Sequence, residues 1–223
     1  NGFAVAFRTT PGDSTGVAHI LEHTALCGSR RYPVRDPFFS MIKRSMKTFM
    51  NAFTASDWTM YPFATQNETD YFNLLNVYLD AALFPLLSEE SFKQEGHRLE
   101  FEEQEDPNSP LTIQGIVYSE MKGAMSSQSQ IMHRSMGNAL FPTVTYRHNS
   151  GGDPECIADL THKQLLDFHR FYYHPSNAYF YTYGDIDLEK RLQVINVSLT
   201  EFDKIDIDTI VPDEKRFTSP QSF

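Results

Sequence analysis

His19, Glu22 and His23 form the pentapeptide His-Ile-Leu-Glu-His, and their spacing defines one kind of chemistry. On a helix, His19 and His23 lie one turn apart and project the same way, so two imidazoles can grip one ion. Glu22 flanks the same side, within reach of a water on that ion. Two neutral imidazoles leave a zinc ion Lewis-acidic, and a carboxylate as third ligand partly neutralises it without filling the open position. Such an ion lowers the pKa of its water toward about 7, and a second carboxylate can then take the proton. The competing reading is a pair of helix-surface histidines beside an acid. The frame favours the metal: Val17, Ile20, Leu21 and Leu26 make a helix-compatible apolar pattern, Ser14 or Thr15 can cap its start, and Gly28 can stop it.

A third ligand must come from elsewhere, and spacing alone does not choose among the remaining acids. Glu120 in GIVYSEMKGAM is the best candidate. It is a lone acid in a predominantly apolar predicted helix, where an unpaired carboxylate is costly and a partner is expected. Residues 89–106 hold eight acids against two bases, a crowding that predicts solvated side chains.

The elements that must position these residues alternate along the chain. NGFAVAFRTT alternates like a strand, and NAFTASDWTMYPFAT reads as two strands around a Ser-Asp turn. Pro37 suits the first position of a helix over PFFSMIKRSMKTF. Phe72, Leu75, Leu79 and Leu83 form one stripe of a helix over 67–84. Residues 88–105 read as helical at their start, with a turn at 106–110, and a further helix over 116–127 continues through 129–141. Thr161 and Gln164 form a capping box for a helix ending before Pro175. NAYFYTYGDI is β-prone, and 187–202 is amphipathic. This alternation predicts an α+β fold, a two-layer sandwich with helices on one face.

Composition bounds the remainder. Of 223 residues, 40% are hydrophobic and 22% charged, the usage of a folded globular chain. No apolar run approaches the roughly 18 residues of a membrane span. A net charge of −10 argues against nucleic acid or an anionic membrane as the main partner. Two cysteines, Cys27 and Cys156, are too few for a disulfide framework. The opening strand is already under way at Asn1, and 204–223 mixes charge, Pro and Ser as a linker would. The expectation is therefore a catalytic domain over 1–203, truncated at its start, and a linker over 204–223 within a larger protein.

Four stretches carry a resemblance: STGVAHILEHTALCGSRRYPVRDPFFSMI, KTFMNAFTASDWTMYPF, IVYSEMKGAM and FYYHPSNAYFYTYGDID. Over about residues 1–203 they resemble the pitrilysin metallopeptidase family, and more closely its presequence-protease subfamily. The resemblance implies a mostly antiparallel sheet and one Zn²⁺ per chain, held by His19, His23 and Glu120 with Glu22 as general base. It implies zinc endopeptidase activity on unfolded peptides such as cleaved targeting presequences, in the mitochondrial matrix. The peptide would add as a strand to a sheet edge at Asn51, Ala52, Phe53 and Thr54. Leu26, Phe38, Phe39 and Ile42 would line an apolar pocket for the side chain preceding the cut. The carboxy-terminal half of the same protein is the implied partner, closing a chamber over the site. One departure stands out: Ile113, seven residues before Glu120, occupies a position where typical pitrilysins carry a second acid. That leaves the outer partner of the zinc site unassigned.

Two alternatives remain at this level. A non-catalytic subunit of a mitochondrial complex would share the fold but tends to lose the metal ligands, which are all present here. A structural zinc domain would need a fourth ligand, which Cys27, four residues after His23, could in principle supply.

Overall fold

The computed structural model describes residues 1–222, apart from the side chain of Phe39. The opening alternation becomes β1 (Gly2–Arg8), whose Phe3, Val5 and Phe7 turn to one side and are buried. There follow α1 (Val17–Ala25), α2 (Pro37–Arg44), β2 (Lys47–Met50), β3 (Phe53–Thr54), β4 (Trp58–Thr65) and the long α3 (Glu68–Leu83). Next come α4 (Glu89–Glu95), β5 (Arg98–Phe101), β6 (Leu111–Gln114), α5 (Ile116–Ala124) and α6 (Gln128–Leu140). The chain continues through α7 (Pro154–Ile157), α8 (His162–Tyr172), β7 (Ala178–Tyr183) and α9 (Leu188–Leu199).

The main sheet is antiparallel throughout. β1 pairs with β4 on one side and β7 on the other, while β2 and β3 follow one another along the outer side of β4. Residues 47–54 are thus an edge of the sheet. The register sets Phe3 beside Phe63 and Val5 beside Tyr61, so one face is apolar and aromatic. Ile20 and Leu21 of α1 and Leu74, Leu75, Tyr78 and Leu79 of α3 pack into the same core. Each such side chain contributes about 1.5–3 kcal/mol on burial, enough to fix which side of α1 faces inward. On the opposite face Tyr179, Tyr181 and Tyr183 of β7 stand exposed. This is the α+β sandwich expected, with helices packed on one sheet face.

Capping chemistry places several boundaries where the sequence predicts them. Asn67, Ser88 and Asp187 each accept a hydrogen bond from the backbone N–H three residues on, opening α3, α4 and α9. Thr161 and Gln164 form the full capping box of α8. Four expectations need correction. The helix opened by Pro37 ends at Arg44 instead of running through Phe49, and Lys47–Met50 pair as β2. Neither Ser14 nor Thr15 caps α1; its N-cap is Gly16, in the left-handed region at φ 73°, and the helix ends at Ala25 rather than running to Gly28. The helix beginning at Glu89 stops at Glu95, and residues 98–114 form a β5–β6 hairpin closed by Glu102 N–H donating to the Pro110 carbonyl. The segment 116–141 is two helices. The Ser126 hydroxyl bonds the Gly123 carbonyl and Ser127 N–H bonds that of Ala124, tightening the chain between them.

One half-buried titratable group outside the site gives a stability prediction. His169 of α8 donates from Nε2 to the Ala82 carbonyl at 3.0 Å, packed against Tyr173. Burial pushes its pKa below the ordinary imidazole value, although that hydrogen bond opposes the shift. The unfolded chain therefore binds the proton first on acidification, and His169 withdraws stability as the pH falls below about 6.5. Between pH 7 and 5 the parent should lose more stability than His169→Gln, measured by urea denaturation at each pH. Parallel losses in both proteins would remove His169 from the account.

Candidate metal centre

His19 and His23 leave α1 on one side, their ring centroids 4.9 Å apart and edge to face. α5 brings Glu120 opposite them, with Oε2 3.8 Å from His19 Nε2 and 4.0 Å from His23 Nε2. The ligand atoms of the three residues lie within 4.8 Å of one another. Bonds of 2.0–2.2 Å to a tetrahedral zinc ion put its ligands about 3.3–3.5 Å apart, so the three donors converge at nearly the separation the ion requires.

The far nitrogen of each ring is already engaged. His23 Nδ1 donates to Glu95 Oε2 at 3.0 Å, and His19 Nδ1 lies 3.1 Å from the Gly151 carbonyl, which can only accept. Both rings therefore carry their proton on Nδ1 and offer the Nε2 lone pair to the metal side. Burial alone would lower the His23 pKa. The hydrogen-bonded Glu95 carboxylate, with Glu22 and Glu120 nearby, outweighs it and holds the pKa above the ordinary value. Glu95 also sits in surroundings that by burial would raise its pKa, yet His23 and Gln94 hold it low and ionised.

Glu22 is only 7% exposed and faces the edge strand. Thr54 Oγ1 of β3 donates to its Oε2 at 2.6 Å. Burial pushes its pKa up, opposed by the Thr54 bond and by both histidines. A carboxylate whose pKa is raised holds a proton more readily than an ordinary one, which favours a role in proton transfer.

Two sequence expectations about acids need correction. The Glu120 side chain is 55% exposed, and α5 buries only Val117. Its place in the cluster comes from facing the histidines across the open side, not from the cost of burying an unpaired charge. Glu95 contradicts the expectation that all acids at 89–106 are solvated: it is 5% exposed, whereas Glu102, Glu103 and Glu105 are exposed. As the last residue of α4 it lies three after buried Phe92, on the inward side of that helix. That i, i+3 relation is the one signal in the sequence that could have singled it out. It supplies a carboxylate to the site of a chain whose position 113 has none. Replacing Glu95 by Ala should weaken zinc binding about 10–100-fold, whereas Glu102→Ala should leave it unchanged. Competition against a chelator of known affinity measures both, and equal affinities would refute the role.

Beside Glu22 and His23 lies a cavity of about 290 Å³, lined by Leu26, Phe38, Ile42, Met50, Asn51 and Ala52. The structure thus brings together most of the expected pocket; the side chain of Phe39 lies outside the described residues. The expected edge set divides. Asn51 and Ala52 line the cavity, Thr54 holds Glu22, and Phe53 stacks against Phe49 with centroids 6.3 Å apart. Cys27 borders the cavity too, and burial pushes its thiol well above the ordinary range, the state of an unreactive buried thiol. Among the described residues the ligand cluster comprises His19, His23 and Glu120 without Cys27.

Comparison with known proteins identifies the family of the chain. Residues 8–133 match the family described as Insulinase (Peptidase family M16), and residues 159–222 match the one described as Peptidase M16 inactive domain. The whole chain is 57% identical to a Xenopus laevis protein named presequence protease, mitochondrial, and 54% identical to the Mus musculus protein of that name. It spans 22% of the length of each. A Helicobacter pylori protease shares the fold with a TM-score of 0.72 at 20% identity, over 96% of this chain and 48% of that one. Pitrilysin does so with a TM-score of 0.68 at 21% identity, over 93% of this chain and 21% of its own. With the His19–Glu22–His23 helix inside the first matched segment, the chain belongs to the insulinase or pitrilysin family of peptidases, family M16.

Proposed function

We propose that this chain is the zinc-binding catalytic part of a mitochondrial endopeptidase that degrades unfolded peptides, cleaved targeting presequences among them. One observation carries the reading: His19, His23 and Glu120 converge beside buried Glu22, and Glu22 is hydrogen-bonded to a sheet-edge residue. A zinc ion on these three ligands would supply Lewis acidity and a water acidified toward neutrality. The residues of the chain do the rest. Glu95 and the Gly151 carbonyl keep both imidazoles in the ligating tautomer. With Oε2 held by Thr54, Oε1 of Glu22 is the oxygen left to accept a proton and return it to the departing amine. A peptide pairs along residues 51–54 as an added strand, and the apolar cavity takes the side chain before the bond. Backbone pairing with one apolar pocket yields broad sequence tolerance and a preference for a hydrophobic residue at that position.

In this reading the peptidase domain comprises residues 1–203, and the chain beyond it leads toward the carboxy-terminal half, which closes over the site. The matrix location follows the mitochondrial relatives. No helix among the described residues is long and apolar enough to cross a membrane. The test uses the full-length protein: one zinc per chain by atomic absorption, and cleavage of a fluorogenic presequence peptide that stops on chelation and returns with zinc. A protein without stoichiometric metal would instead be the non-catalytic relative.

A further inference from the structure

We infer that Arg134 and Asp153 are positioning residues for the metal, holding the turn whose carbonyl orients His19; the inference rests on the zinc reading above. The turn is 149–153, and its Gly151 carbonyl accepts from His19 Nδ1. A backbone carbonyl has no torsion of its own to search for its partner, so its place depends on whatever fixes the turn.

Arg134 fixes it from one side. Its guanidinium donates from Nη2 to Asp153 Oδ2 at 3.1 Å and to Ser14 Oγ at 2.9 Å, and the pair is three-quarters or more shielded from water. Asp153 passes the constraint inward: Asn149 Nδ2 donates to its Oδ1 at 2.8 Å, while Asn149 Oδ1 accepts from Gly151 N at 3.2 Å. Ser14, just before the zinc helix, accepts from Asp153 N with its carbonyl and from Asn149 N with its hydroxyl. The turn is therefore tied to the segment that leads into α1.

Steric fit explains the glycines. A Cβ on Gly16 would lie 2.8 Å from the Gly151 carbonyl oxygen, and one on Gly152 would lie 3.0 Å from Gly16 Cα. Both residues have positive φ, 73° and 101°. The turn thus sits directly on the N-terminus of α1 at backbone contact. α6 buries no residue of its own, and its partly buried Arg134 ties that helix to the site. Without the Arg134–Asp153 pair the carbonyl loses its support, the His19 proton is no longer confined to Nδ1, and Nε2 is less often free to ligate.

The experiment measures zinc affinity of the full-length protein by chelator competition, for the parent, Asp153→Asn and Arg134→Gln. Both variants should bind zinc about tenfold more weakly, and the visible spectrum of the Co²⁺-substituted protein should shift. Arg30→Gln, which breaks the pair with Glu201 and leaves every bond of the 149–153 turn in place, is the control for mere loss of an ion pair. It should lower the melting temperature and leave zinc affinity at the parent value. Should Asp153→Asn not fold, Arg134→Gln on the surface helix carries the same comparison. If the variants lose thermal stability as the control does while affinity stays at the parent value, their role is only structural and the inference falls. A parent that binds no zinc would overturn the zinc reading itself, a separate result.

Discussion

Glu22→Gln is expected to retain stoichiometric zinc and lose nearly all peptidase activity. Gln keeps the shape of the side chain and an oxygen for Thr54 Oγ1 to donate to, so the bond that seats residue 22 survives. The proposed ligand set, His19, His23 and Glu120, is untouched. What disappears is the carboxylate proposed as general base. Loss of a general base costs about 10²–10⁴-fold, or roughly 3–5 kcal/mol of barrier. Stability should move the other way. A carboxylate 7% exposed, with its pKa already pushed up, bears a desolvation cost that a neutral amide avoids. The variant should therefore melt at or above the parent temperature. Full-length protein, one fluorogenic peptide, zinc by atomic absorption and a thermal melt decide it. Unchanged turnover with full zinc would remove Glu22 from the chemistry.

The parts of this site that were legible in the sequence are those whose partners are near in the chain. His19 and His23 share a face because one helical turn separates them, and that relation survives wherever the helix packs. The capping box at Thr161 and the alternation of Phe3, Val5 and Phe7 are local in the same sense. Glu95 was not legible in that way: it meets His23 across 72 residues of sequence, and the nearby acids Glu102, Glu103 and Glu105 are exposed, so composition misrepresents it. The Gly151 carbonyl is further from inference still, since every residue carries one and only the fold selects it. Glu120 shows the converse. Its sequence context suggested burial, but α5 packs through Val117 and turns Glu120 to the open side. Arg98, Leu99, Glu100 and Phe101 do alternate, but four residues running on from a helical start into an acidic stretch are too short a pattern to announce the β5–β6 hairpin. Pairing with 111–114 decides its form.

Residues 1–222 prepared alone are expected to bind zinc and to cleave peptides several orders of magnitude more slowly than the full-length protein. All the proposed ligands, the proposed base and both outer partners of the imidazoles lie between His19 and Gly151. On the proposed assignment the metal site is therefore contained in this chain. Substrate positioning is different. Glu120 is 55% exposed and Phe53 38%, so the site and its strand edge open to solvent on the side where a peptide would lie. An added strand gains about 0.5–1.5 kcal/mol for each backbone hydrogen bond, set against the entropy of ordering the peptide. A facing wall, which the family resemblance assigns to the remainder of relatives about four to five times this length, would hold the peptide in reacting geometry. Such positioning can supply about 7–11 kcal/mol of barrier reduction, and each 1.36 kcal/mol forfeited is tenfold in rate. Losing even half of it leaves kcat/KM lower by about 10²–10⁴-fold. The comparison is one peptide assayed with equal amounts of zinc-loaded 1–222 and zinc-loaded full-length protein. Comparable rates would mean that the sheet edge and the 290 Å³ cavity suffice to hold a peptide by themselves, and that the facing half is dispensable for catalysis.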